Sequence, residues 1–256
     1  MKELLSILIF TMTPLLLFAQ IKVMDQPPFV EGEKIDYYAI YKWGFIEIKA
    51  GLVEFSVDKS EEGDEQFYHF KSIGNSISRY DWIFKVRDTF QSIVRLKDFQ
   101  PLYYERHTLE GGYQVLNKTF FNERDDLIKL ELFNSEEGSS SKNIPFEKGL
   151  LDLQTAVYFA RLLDFSEAIM GEEFLFNILV DGDYYKIPIR YEGLENVEID
   201  DIEYPCFKIS TEVIKGTIFR SNQTIDIWVS NDGKQIPVKV EAPIIVGRVK
   251  AELANQ

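Results

Sequence analysis

Almost every extended stretch of this chain alternates apolar and polar residues with period two. That pattern commits it to half-buried strands, because successive side chains of a strand point to opposite faces. Residues 35–43, 45–57, 67–73, 84–96, 102–109, 113–121 and 127–133 read as strands, and so do 173–180, 184–191, 206–214, 224–230, 235–241 and 244–253. Gly44, Gly63, Gly111–Gly112, Asp181–Asp183, Gly193 and Asp232–Gly233 punctuate them. Short strands at this spacing predict a mainly β fold of antiparallel curved sheets, either a sandwich or an open barrel-like form.

The strongest local signal is "TIDIWVSNDGKQIPVKVEA", residues 224–242. Asp-Gly between two alternating runs predicts a two-residue hairpin turn at Asp232–Gly233. Ile227 then faces Val238, Ile225 faces Val240, and Asp226 faces Lys239. Ile225, Ile227 and Val229 share one buried face. Trp228 falls opposite Pro237 on the other face, where it either stacks on the proline or offers an aromatic platform to a ligand. Pro237 lacks an N–H, so the 235–241 strand is expected to be an edge or to be bulged there.

Residues 45–57 break their own pattern. Ile46 and Ile48 set one parity, while Val53, Phe55 and Val57 set the other, so a bulge or sharp bend is predicted at Ala50–Gly51. A bent strand of this kind suits a sheet that curls round a core. One helix is predicted, "LDLQTAVYFARLLDF" at 151–165, capped by Asp152 and carrying Leu153, Ala156, Val157, Ala160 and Leu163 as an apolar stripe. It is expected to sit centrally between two β halves, about 31–150 and 172–253, of a single domain spanning 20–256. The polar stretch 134–143, "NSEEGSSSKN", reads as a loop.

Lys2 followed by an apolar run from Leu4 to Phe18 and then Ala19 has the form of a secretory signal peptide, residues 1–19, cleaved before Gln20. No second apolar run of that length follows, so an integral membrane protein is not expected. The formal charge is −14, which speaks against nucleic acid and anionic lipid as partners unless a local basic patch forms. Cys206 is the single cysteine, so an intramolecular disulfide is excluded; its aromatic neighbours predict a buried apolar role.

Four stretches in order, "GEKIDYYAIYKWGFIEIKAGLVEFSV", "FKVRDTFQS", "LDLQTAVYFAR" and "IDIWVSNDGKQIPVKV…GRVKAEL", resemble the exported bacterial family known as domain of unknown function 3108. The resemblance spans nearly all of the chain after the signal, and "FAQ" with the aromatic richness resembles Bacteroidetes exports. It implies an exported, β-rich protein for which the family name carries no catalytic role.

Asp88 is the oddest polar residue, a carboxylate on the apolar face of "FKVRDTFQSIVRL". It is expected to pair with Arg161 of the helix or to cap a turn; a general acid or base is the alternative. His69 and His107 sit in separate strands without metal-ligand spacing. The acidic groups near 61–65, 181–183 and 198–203 read as solvated turns, so no metal and no cofactor is expected. The leading expectation is a non-catalytic cell-envelope protein, periplasmic or envelope-associated, that binds an apolar or glycan ligand, with Trp43, Trp82, Tyr158 and Trp228 as lining residues. One alternative is an assembly partner that pairs through the 235–241 edge. Another is a hydrolase built around Asp88.

Overall fold

The computed structural model of the chain describes residues 22–212, 223–244 and 247–254. The signal segment 1–19 therefore lies outside the described residues. The first half is an antiparallel meander of β1 (Lys34–Trp43), β2 (Ile46–Glu62), β3 (Glu65–Ser76), β4 (Val86–Arg95), β5 (Pro101–Glu110), β6 (Tyr113–Asn122), β7 (Leu127–Asn134) and β8 (Gly138–Pro145). Then come β9 (Leu150–Leu151) and helix α1 (Leu153–Ala160). A second meander follows: β10 (Glu173–Val180), β11 (Asp183–Ile199), β12 (Ile202–Glu212), β13 (Thr224–Ser230), β14 (Pro237–Pro243) and β15 (Arg248–Leu253). Antiparallel pairing of β1 with β15 fuses the two into one 15-stranded sheet that runs from β8 at one end to β9 at the other.

This sheet is strongly curved and unclosed. Its two ends meet through side chains rather than a hydrogen-bonded ladder. Leu150 and Leu179 from the second arm pack with Tyr104, Phe121, Ile128 and Leu130 from the first. Across the same seam, Tyr184 Oη donates to the Pro145 carbonyl at 2.8 Å. Burying this apolar surface is what brings the two ends of the sheet together.

The predicted bulge in β2 is present. Ala39 pairs with Gly51 and Ile40 with Lys49, which leaves Ala50 out of the ladder. Gly51 is needed for a close approach, since a Cβ built there would lie 2.8 Å from the Asn75 carbonyl oxygen. Gly51→Val is therefore expected to lower the unfolding free energy by about 1–3 kcal/mol in urea titration. An unchanged midpoint would contradict the tight contact between β2 and β3.

Helix α1 is shorter than predicted. At its start, Leu150 and Leu151 pair in parallel with Asn177 and Ile178 of β10. At its end, Arg161, Leu162 and Leu163 donate to carbonyls three residues back, a tightened final turn. Asp152 caps the helix as expected, accepting a 2.8 Å hydrogen bond from Thr155 N. The same carboxylate accepts from Ser92 Oγ of β4 at 2.6 Å and from Thr155 Oγ1 at 2.7 Å. Gln154 accepts from Ser72 of β3 at 2.9 Å. The N-terminal end of the helix is thereby fixed to the first arm.

The other end of the helix is fixed to the 231–236 turn, and this overturns the predicted hairpin register. Ile227 pairs with Val240, Trp228 with Lys239 and Val229 with Pro237, with a bulge between the last two pairs. The Gln235 amide donates to the carbonyls of Arg161 and Leu163, with Gln235 itself in the left-handed region at φ 47°. Those bonds draw 235–236 out of the ladder and lengthen the turn. The proline sits at a bulge, which accommodates its missing N–H. β14 is bonded on both sides, to β13 and β15; the 235–241 strand is not an edge. Residues 134–143 are also corrected. Most of them belong to β7 and β8, and β8 is a polar end strand with solvent-facing side chains.

Candidate functional site

Inside the curl, above α1, lies a cavity of about 1110 Å³. That is at or above the upper end of ordinary small-molecule sites. The second arm lines it with inward residues of alternating strands, among them Phe176, Ile178, Ile189, Ile209, Ile225 and Ile227. The first arm contributes Ile35, Val53, Phe55, Phe90 and Leu132. The helix presents Val157, which is 41% exposed although it sits within the curl; its exposure is to the cavity. Ile225, Ile227 and Val229 face inward as the alternation predicts.

One end of the curl is packed shut. Phe29, Val57, Tyr68, Phe70, Val94, Tyr158 and Leu162 form a buried cluster there. Tyr158 stacks on Phe70 with ring centroids 3.9 Å apart, and its hydroxyl donates to the Ser56 carbonyl at 3.1 Å. At the other end the lining reaches solvent, among the described residues, at Tyr113, Glu137, Gly138 and Glu212.

Two ion-paired clusters interrupt the apolar walls, besides Thr211, Ser140 and Asn134 of the lining. At the floor, Arg161 makes a two-pronged contact with Glu33, Nη1–Oε1 at 2.5 Å and Nη2–Oε2 at 3.1 Å. Tyr37 lies beside this pair, and burial raises its hydroxyl pKa above the usual tyrosine value. Higher on the wall, Arg106 Nη1 donates to Asp181 Oδ2 at 3.0 Å, while Asn117 Nδ2 donates to Asp181 Oδ1 at 2.5 Å. Both arginines line the cavity already neutralised by a carboxylate, so the site presents dipoles and paired charges on aliphatic walls.

The structure scatters the sequence-predicted residues. Tyr158 lines the cavity. Trp43, the last residue of β1, is exposed, and so is Trp82, in the β3–β4 loop. Trp228 is buried on the opposite face of the sheet with Val197, Ile199, Cys206 and Val238. It does not stack on Pro237; the ammonium groups of Lys239 and Lys208 lie 4.7 and 5.0 Å from its ring centroid. Trp228 is there because the outer face of the long β11–β12 hairpin needs a small second core. Cys206 belongs to it, and burial pushes its thiol up to about 11, a poor nucleophile.

The predicted Asp88–Arg161 pair does not form. Arg161 lies at the packed end, where Glu33 and the 234–235 carbonyls reach it. Asp88 lies near the opposite end of β4 and accepts from Leu109 N at 3.2 Å. Burial, with Glu110 adding to it, pushes Asp88 up to about 6. His69 and His107 each bond a glutamine side chain, and among the described residues no cluster of metal-ligating groups forms. The polar wall of Arg106, Asn117 and Asp181 escaped the sequence reading. Arg106 shares the inward parity of Tyr104 and Thr108, which is the one signal that marks it.

Residues 37–254 match the model of a family described as "Protein of unknown function (DUF3108)". No curated protein matches the chain. Among solved structures, the chain resembles the beta-barrel-like protein of domain of unknown function DUF1849 from Brucella abortus. The TM-score is 0.52 at 6% identity, over 87% of this chain and 95% of that one. The hypothetical protein CT021 from Chlamydia trachomatis aligns over 88% and 85% at 10% identity with a TM-score of 0.31, too low to carry a structural argument. The first likeness shows the fold alone.

Proposed function

The chain belongs to the DUF3108 family, and from that premise we propose that it is an exported, non-catalytic protein that holds one elongated apolar ligand inside its curled sheet. The family name carries no activity, so the reading rests on the site. The observation that carries it is a cavity of about 1110 Å³ walled by aliphatic and aromatic side chains. A void of that size with apolar walls favours an apolar guest, because filling it restores dispersion contacts and removes apolar surface from water. A glycan would leave most of its hydroxyls facing isoleucine and valine, at a desolvation cost that the few polar groups of the lining cannot offset. Arg106 and Arg161 are tied to carboxylates, an arrangement that positions a guest rather than transforming it. Lys2 and the run from Leu4 to Phe18, with Ala19 behind it, support passage across a membrane before folding.

The test is titration of the mature chain with a fluorescent naphthylamine dye, in wild type and Val157→Trp. The indole would occupy the space above the helix. Dye affinity is expected to fall at least about tenfold while the unfolding midpoint stays close to wild type. Equal dye binding by both proteins would refute the cavity as the binding site.

A further inference from the structure

The open end of the cavity is crowned by the largest exposed apolar side chains of the described chain. Phe45, at the tip of the β1–β2 turn, is 98% exposed, and Trp82, in the β3–β4 loop, is 82% exposed. Trp43 and Ile83 stand exposed beside them. The pairing places these tips at the mouth. Trp43 pairs with Ile46 at the end of the β1–β2 ladder. Ile77 N donates to the Ala50 carbonyl at 2.8 Å, and Gly111 N donates to the Lys85 carbonyl at 2.8 Å. The second bond joins the β3–β4 loop to the β5–β6 turn, whose Tyr113 lines the cavity. Tips of this kind are costly in water and are kept where something covers them.

The local charge says what covers them. The chain as a whole carries −14. Yet the β3–β4 loop and the start of β4 hold Arg79, Lys85 and Arg87 against Asp81 and Asp88, and the β1–β2 turn region holds Lys42 and Lys49 against Glu47. Both tips are therefore net positive on a strongly negative protein. Tryptophan and phenylalanine flanked by lysine and arginine match the interface of a bilayer, where rings enter the headgroup layer and cations meet lipid phosphates. An apolar guest leaving this mouth would otherwise have to cross water.

We infer that the mouth of the cavity docks on a lipid bilayer surface, with Phe45 and Trp82 inserted into the headgroup layer and Lys42, Arg79 and Lys85 over anionic lipid phosphates. As the route by which a guest enters, this rests on the apolar-ligand reading above; surface docking itself does not require the cavity.

The experiment is co-sedimentation of the full mature chain with phosphatidylethanolamine–phosphatidylglycerol vesicles and with phosphatidylcholine vesicles. Wild type is expected to bind the anionic vesicles about fivefold more strongly, with a blue shift of tryptophan emission. Phe45→Ser with Trp82→Ser is expected to weaken partitioning at least about tenfold while leaving naphthylamine dye affinity unchanged. Val157→Trp should sediment like wild type even though it loses the dye, which keeps failure of the docking distinct from failure of the ligand reading. Absence of wild-type sedimentation, or equal sedimentation by the double variant, would overturn the docking. A concentration-dependent dimer that the double variant abolishes, without vesicle binding, would overturn it in favour of a second copy of the chain. Equal binding to both vesicle types would overturn the role given to the basic residues.

Discussion

Arg161→Leu is expected to lower the unfolding free energy by about 3–5 kcal/mol, the largest single effect at any position described above. Its guanidinium is 3% exposed and serves both sides of the fold at once. Two nitrogens hold Glu33 just before β1, while Nε and Nη2 donate to the carbonyls of Gln235 and Lys234 at 3.1 and 3.0 Å. The charge also lies 5.3 Å from the centroid of the Phe29 ring. Removing it leaves a largely buried carboxylate and two inward carbonyls without their donor, and that desolvation outweighs the leucine's added packing. Urea unfolding followed by the emission of buried Trp228 measures the loss. Adding Glu33→Leu to the same chain is expected to recover a good part of it, because the second change removes the stranded charge. A loss below about 1 kcal/mol for the single variant would place Arg161 in solvent and contradict its role as a tie between helix, β1 and the 231–236 turn.

Asp152 carries the second large effect, which appears as a pH dependence. The carboxyl is fully buried, and burial pushes its pKa up to about 6 even though Ser92 and Thr155 donate to it. In the unfolded chain the group titrates near 3.9. The folded state thus holds the proton more tightly, so the contribution to stability is fully present below about pH 4 and is lost as pH rises through about 6. The loss is on the order of 3 kcal/mol, at about 1.4 kcal/mol per pH unit of displacement. Asp152→Asn keeps an acceptor for Thr155 N and Ser92 but no longer titrates. Wild type is expected to lose stability relative to this variant between about pH 4 and pH 7, measured by urea midpoints across that range. Parallel profiles would show that Asp152 titrates at its ordinary value and is not buried. Asp88, also raised to about 6, shifts both proteins alike, which is why the comparison isolates the helix cap.

Much of this architecture is legible in the sequence, and the failures have physical causes. Period-two alternation marks strands because it records burial of one face. It found the inward face of β13 and, through a parity switch, the bulge at Ala50. Asp152 announced itself as a cap because a short acceptor ahead of an apolar stripe has few other uses. β8 left no such trace, since nearly all of its side chains meet solvent and, Ile144 apart, its backbone bonds hold it to β7. The 224–242 hairpin slipped because Asp-Gly predicts a turn from local preference alone. The deciding bonds run from Gln235 to carbonyls more than seventy positions earlier. Arg161 was paired with the wrong carboxylate for the same reason. Its partner lies 128 positions away, on a residue outside any alternating run.

The cavity is illegible in principle from alternation. Ile178, Ile189 and Ile209 read identically whether they close on one another or line a void, because the pattern tells which side is inward and not how far apart the inward sides stand. Curvature of the sheet and the length of α1 set that distance. The exposed tips are hidden for the opposite reason. Trp43 and Trp82 stand out as aromatics in turn regions, and a sequence reading assigns them to a pocket when they stand at its mouth.

The account turns on an apolar void between α1 and the second arm. Crystals of the mature chain soaked with a long-chain fatty alcohol bearing a terminal bromine test it most directly, by anomalous scattering. The predicted result is one bromine peak inside the curl, between Val157 and the side chains of Ile178, Ile209 and Ile225. Bromine found only on the outer surface, with those same side chains packed against the helix, would contradict it.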